Sequence, residues 1–228
     1  RGAMVNIGVG LPEEVCRVVF EAGLARDLTF MTETGVIGGL PAPGIFFGAA
    51  ANPERLVTSA EGFHLCYRQL DTTILGVLEA DEEGNVNVSK RGDGALNYVG
   101  PGGLPDMTTA ARNVLFVGSW MSGGCIEVRN GQVRILKPGR PKFVRRVDEV
   151  TFSGREALAA GKDVLFATNV GVFRLTERGM VLVEVMPGID VRRDVLDVSP
   201  MKIVIPEGGP AVADRAVVTG EGFRLAWP

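Results

Sequence analysis

Glu33 stands at the end of an apolar run, Leu28 to Thr32, and is followed by Thr34-Gly35-Val36-Ile37-Gly38-Gly39. A carboxylate is a weak nucleophile in water. Desolvated beside glycine-rich backbone, it can attack an activated acyl group such as a thioester, forming an acyl-glutamyl anhydride and releasing a thiolate. The thiolate can then attack the glutamyl carbonyl, which leaves a thioester on the protein and frees the acid. Reversal with a second acid completes a transfer. Such chemistry requires one carboxylate and backbone N–H groups aimed at the tetrahedral oxyanions. It requires no histidine, and the chain has a single one, His64, which sits between Phe63 and Leu65 and reads as a packed residue. Taken alone, a Glu between two threonines near glycines is more often a solvated turn residue or a helix cap, and that alternative stays open at this level.

Other chemistries have less to work with. No Gly-x-Ser-x-Gly elbow occurs, and no His, Cys or carboxylate set has metal-ligand spacing, so no metal is expected. The three cysteines, Cys16, Cys66 and Cys125, are odd in number and far apart. They read as core residues of a protein in a reducing cytoplasm. A formal net charge of −3 with no basic stripe points away from nucleic acid. No apolar run approaches the roughly 20 residues of a membrane span, and no signal-peptide pattern opens the sequence. Arg1 rather than Met comes first, with a strand almost at once, as expected of a piece processed or split from a longer product.

The elements that must position Glu33 alternate between strand and helix. Ala3–Ile7 reads as a strand, Gly8-Val9-Gly10-Leu11-Pro12 as a turn, and Val15, Val18, Val19 and Ala22 as the apolar stripe of a helix. Pro12 suits its first turn, Glu13 and Glu14 its positive end, and Gly23 its C-terminal cap. Leu28–Thr32 is the strand that delivers Glu33. Buried strands are expected over Thr73–Ala80, Val114–Val117 and Val164–Ala167, and Asn130-Gly131 marks a type I′ hairpin. Ser153 with Glu156 signals a capping box, and Val172–Leu175 with Met180–Val185 a second hairpin. No repeat or linker interrupts residues 1–228, which read as one α/β domain: an open, mostly parallel sheet flanked by helices, with β-hairpin additions.

Five segments, in order and over essentially the whole length, resemble family I coenzyme A transferases. Thr32-Glu33-Thr34-Gly35 through Gly38-Gly39 is similar to that family's nucleophile segment, and Asn6-Ile7-Gly8-Val9-Gly10-Leu11-Pro12 to its Asn-x-Gly-x-Gly-x-Pro turn. Gly84-Asn85-Val86-Asn87, Gly100-Pro101-Gly102-Gly103 and Gly188-Ile189-Asp190 match its later segments. The match is to the β subunit, or to the C-terminal half of the fused short-chain acyl-CoA, acetate and propionate enzymes. The resemblance implies that Glu33 is the covalent carboxylate and that the backbones of Val9, Gly10, Gly102 and Gly103 line the thioester and supply oxyanion donors. It implies that Asn87 touches the pantetheine or carboxylate end, although Asn85 and Asn87 equally fit an Asx-type turn. It implies coenzyme A as substrate with no permanently bound cofactor, and an α-type partner half in a hetero-oligomer. One departure stands out: Thr168-Asn169-Val170 replaces the common Thr-Glu-Arg, removing a charged pair expected near coenzyme A. Alternatives are a CoA-ester hydrolase using the same glutamate, a non-catalytic scaffold subunit, and, less favoured, a sugar-phosphate isomerase, which would be expected to carry a lysine near the turn; residues 5–48 have none.

Overall fold

The computed structural model describes residues 2–92 and 94–226. The chain forms two compact units. One comprises the residues up to Gly76, Pro101–Val117 and the chain from Arg224 on; the other comprises Val77–Gly100 and Gly118–Phe223.

In the first unit, β1 (Ala3–Ile7), β2 (Leu28–Met31), β7 (Leu70–Gly76) and β10 (Asn113–Gly118) are parallel in the order β10-β7-β1-β2. The short antiparallel strands β3 (Val36–Ile37) and β6 (Arg55–Leu56) extend it, and β4 (Leu40–Pro41) pairs with β5 (Ala50–Ala51) as a separate ribbon. Strand alternation divides the apolar residues between two cores. Met4, Met31 and Leu70 face Cys66 of helix α2 (Ser59–Gln69) and Met107 of helix α3 (Leu104–Ala110). Val5, Ile7, Phe30 and Ile74 face Cys16 and Val19 of helix α1 (Leu11–Glu21). Covered on both faces, these strands read as nearly continuous apolar runs, which is why they are visible in sequence. The polar exception within β1 is Asn6, buried and accepting the Thr73 hydroxyl at 2.9 Å.

The apolar stripe of α1 differs by one position from the expected one. Pro12, Cys16 and Val19 are buried, Val15 and Val18 flank them, and Ala22 is exposed beyond the last turn. Gly23, at φ +73°, follows the C-cap as expected, and Leu24 N–H closes the turn on the Val19 carbonyl at 3.0 Å. The run Thr73–Ala80 proves to be two strands: β7 ends at Gly76, and β8 (Glu79–Asp81) belongs to the second unit. Hydrophobicity is continuous across Val77 and Leu78, so periodicity could not register the change of pairing partner.

In the second unit β8 pairs with β9 (Val86–Asn87) and with β15 (Phe143–Val144), and β11 (Met121–Ser122) with β14 (Arg140–Pro141). Strands β12 (Cys125–Arg129) and β13 (Gln132–Lys137) form the expected hairpin, with Asn130 at φ +54° and Gly131 at φ +68°. Helix α4 (Gly154–Ala159) begins at Ser153, whose hydroxyl accepts the Glu156 N–H at 3.3 Å. Strands β16 (Asp163–Thr168), β17 (Gly171–Thr176) and β18 (Gly179–Val185) form an antiparallel meander. Both β19 (Ile203–Val204) and β20 (Ala211–Val212) lie parallel to β18, and helix α5 (Arg215–Thr219) follows. Trp120 stacks on Phe143 and Phe173 at centroid distances of 4.8 and 5.1 Å, forming an aromatic core. Residues 168–170 make the β16–β17 turn, where Asn169 Oδ1 accepts the Trp120 N–H at 2.7 Å. Two packing expectations fail. His64, on the outer face of α2, and Cys125, at the start of β12, are both exposed. Among the described residues no helix is long and apolar enough to cross a membrane.

Candidate active site

At the C-terminal edge of the parallel sheet, β1 and β2 each release a loop, and in open α/β sheets ligands bind at such edges. The loop after β2 is a tight turn in which Gly35 N–H donates to the Thr32 carbonyl at 3.0 Å. Gly35 holds φ +94°, and a Cβ there would collide with the Val57 carbonyl oxygen, so the sequence needs glycine two residues after Glu33. Two hydroxyls fix the backbone on either side. Ser59, in the first turn of α2, donates to the Glu33 carbonyl at 2.8 Å, and Thr34 donates to the Gly48 carbonyl at 2.8 Å. Helix α2 is in turn fixed by a full capping box between Thr58 and Glu61.

The half-buried Glu33 side chain lies on the second glycine loop. Its Oε2 accepts the Gly103 N–H at 2.8 Å. A Cβ on Gly102 would stand 3.7 Å from both carboxylate oxygens, whereas one on Gly103 would overlap Oε2 and come within 2.9 Å of the Phe63 ring. Bare backbone at residue 103 is thus what admits the carboxylate. The three elements that meet here share one sulfur-rich contact beneath the site: the Cys66 thiol of α2 lies 3.3 Å from the Met31 sulfur of β2 and 3.5 Å from the Met107 sulfur of α3. Burial pushes that thiol up to about 11, so it serves packing and not nucleophilic attack.

Of the residues singled out from sequence, the structure brings Glu33, Gly102 and Gly103 together. Val9 and Gly10 follow β1 at the same sheet edge; Val9 is exposed, and the Gly10 N–H donates to Glu13 Oε1 at 3.0 Å. The other Glu13 oxygen accepts the Gly44 N–H at 2.8 Å. Asn87 belongs to the second unit and is fully buried. Its Oδ1 accepts from Ser89 and Lys90 N–H groups, and its Nδ2 donates to Glu79 Oε2 and the Lys90 carbonyl, which uses the whole capacity of the amide. Ser59 and Phe63 were not foreseen. Thr58-Ser59-Ala60-Glu61 carried a capping signal that would have revealed α2, but nothing local linked that helix to Glu33.

No family model matches the chain. It is 38% identical over 201 residues to caffeate CoA-transferase of Acetobacterium woodii, covering 86% of this chain and 38% of that protein. Identity to acetate CoA-transferase YdiF of Escherichia coli K12 is 36% over 200 residues, covering 86% of this chain and 37% of that protein. The chain is homologous to the CoA-transferases. It spans about two fifths of the length of these CoA-transferase relatives. The solved acyl-CoA transferase YdiF of E. coli O157:H7, in a thioester complex with CoA, superposes with a TM-score of 0.86 at 32% identity, over 96% of this chain and 41% of that one. Glutaconate CoA-transferase of Acidaminococcus fermentans, at 20% identity and a TM-score of 0.69, shares the fold.

Proposed function

We propose that the chain is the glutamate-bearing part of an acyl-CoA:carboxylate CoA-transferase and that Glu33 carries the acyl group and then CoA. The observation that supports this best is the 2.8 Å hydrogen bond from Gly103 N–H to one oxygen of Glu33. It leaves Oε1 as the nucleophile. That oxygen attacks the thioester carbonyl, and the C–S bond breaks to release CoA thiolate and an acyl-glutamyl anhydride. The thiolate attacks the glutamyl carbonyl; the anhydride C–O bond breaks, the free acid leaves, and Glu33 holds CoA as a thioester. In the anhydride the oxygen bonded to Gly103 is the glutamyl carbonyl oxygen, and thiolate attack turns it into the tetrahedral oxyanion. Its developing negative charge then sits on a donor already in place, the kind of preorganised stabilisation that contributes about 10²–10³-fold in acyl transfer.

Gly102 shapes the same loop. Val9 and Gly10 line the thioester once Glu13 yields the Gly10 N–H. The CoA thioester of the solved relative is consistent with such an intermediate. Residues 1–228 act in this reading as one β-type catalytic module that works with an α-type half. Two findings favour such a partner: the fraction of the relatives' length covered, and 29% identity over 130 residues to one subunit of the 3-oxoadipate CoA-transferase of Pseudomonas knackmussii. The test is intact-mass spectrometry of the chain with its partner half after incubation with propionyl-CoA, followed by borohydride. The expected result is a CoA adduct that acetate discharges and a reduced residue mapped to Glu33. Turnover by Glu33→Ala at the normal rate refutes the mechanism.

A further inference from the structure

Glu13 ties together two loops of the first unit at the sheet edge that carries Glu33. It is the third residue of α1, and its Oε1 accepts the Gly10 N–H at 3.0 Å, the backward arm of an N-terminal cap. A cap needs only that one oxygen. Oε2 instead crosses to a loop 31 residues along the chain and accepts the Gly44 N–H at 2.8 Å. Arg17, one turn on, is taken by Glu14 and Glu21, so the Glu13 charge is met by backbone donors. The segment that Glu13 holds, Gly44–Gly48, is fixed at its other end beside the nucleophile. There the Gly48 carbonyl accepts the Thr34 hydroxyl at 2.8 Å, and a Cβ on Gly48 would come within 2.7 Å of Thr34 Cγ2. Gly44 at φ +64° and Gly48 at φ +94° bracket the segment, and a Cβ on Gly44 would meet nothing within 4 Å. Two such positions can absorb a swing of the residues between them. Those residues include Ile45, 95% exposed, and Phe46, 66% exposed. Single exposed apolar side chains are ordinary. These two are neighbours at the tip of a strap that runs from the Gly10 turn to the Glu33 turn.

We propose that Glu13 is a latch and that Gly44–Gly48 is a lid for the acyl group of the bound thioester. The inference rests on the transferase reading, in which the Gly10 N–H serves the thioester. Glu13 Oε1 and the thioester oxygen then compete for one donor. Because the other Glu13 oxygen holds Gly44, a thioester that takes the Gly10 N–H frees Gly44 in the same movement. The freed segment pivots at its Thr34-bound end and lays Ile45 and Phe46 on the acyl chain. Closure buries apolar surface on both partners and keeps water from Glu33. Glu13 touches neither the reacting atoms nor Glu33 in this scheme; it is a positioning residue whose removal makes thioester binding easier.

The test uses the chain with its partner half and the ketone analogue of butyryl-CoA, in which a methylene group replaces the thioester sulfur, so that the carbonyl remains and acyl transfer is blocked. In Ile45→Cys, alkylation of the introduced thiol is read by mass spectrometry with Cys125 as internal control. Saturating analogue should slow it about fivefold or more and leave Cys125 unchanged, and the acetyl analogue should protect less. Adding Glu13→Gln, checked for native circular dichroism, should lower the analogue concentration for half protection about threefold or more, since an amide cannot accept from both N–H groups. A Glu13 that only supports the fold predicts the reverse. Glu33→Gln should be protected like the parent, so a protected thiol without any CoA adduct on the parent refutes the covalent mechanism and leaves the lid. An adduct on the parent with an unprotected thiol refutes the lid alone. The lid is also overturned by a thiol already unreactive before analogue is added, by equal protection from both analogues, or by a half-protection concentration that Glu13→Gln leaves unchanged or raises.

Discussion

Two adjacent glycines under the Glu33 carboxylate should respond in opposite ways to a single added methyl group. Gly103 has φ −83° and ψ 4°, which any residue adopts, so alanine there meets no backbone penalty. Its Cβ, however, would overlap Glu33 Oε2 and press on the Phe63 ring. Both neighbours are side-chain ends and can move, so the stability cost is that of modest overpacking, about 1–3 kcal/mol, partly offset by the roughly 0.4–1 kcal/mol that Gly→Ala gains through the unfolded state. The carboxylate must retreat by about 1 Å and give up its bond to the Gly103 N–H, and a displacement of that size at a reacting group can cost about 10²-fold in rate. Gly102 is the reverse case. At φ +55° an alanine costs about 1–2 kcal/mol in the left-handed region, but its Cβ fits at 3.7 Å from both oxygens. The assay is the rate of CoA adduct formation with propionyl-CoA, alongside thermal denaturation. Gly103→Ala should form adduct about 10²-fold more slowly with a small change in Tm, and Gly102→Ala should lose several degrees yet react within a few-fold of the parent. Equal adduct rates in the two variants would refute the assignment of Gly103 as the donor that positions Glu33.

Ser59→Ala removes the hydroxyl that holds the Glu33 carbonyl, and Thr58→Ala removes the cap of α2. Each should lower stability by about 1 kcal/mol in chemical denaturation, and Ser59→Ala should slow adduct formation more than Thr58→Ala does. Asp194 is held below the ordinary carboxylate range, chiefly by its hydrogen bond from Arg193. A depressed folded-state pKa stabilises above the unfolded-state value, and that stability is lost as pH falls through the folded value. Asp194→Asn should therefore melt below the parent at pH 7, and the gap should close in acid. Burial pushes the Cys16 thiol up to about 12 and that of Cys66 to about 11, whereas Cys125 is exposed. A thiol reagent at pH 8 should modify Cys125 quickly, with Cys16 and Cys66 following only on unfolding.

Sequence alone was enough to place Glu33 at the end of a strand and to identify the hairpins, because strand burial on both faces and an Asn-Gly turn leave local signals. The first β-turn-α unit, Ala3 to Gly23, was also legible from Pro12, the early acids and the terminal glycine. Other features depended on contacts far along the chain. Ser59 and Phe63 reach Glu33 and Gly103 through the packing of α2, and 70 residues separate the Gly103 N–H from the carboxylate it binds. The apolar run from Ile74 to Leu78 hid a change of sheet partner, since hydrophobicity records burial but not which strand provides it. His64 looked packed between two apolar neighbours, yet helical geometry turns it outward.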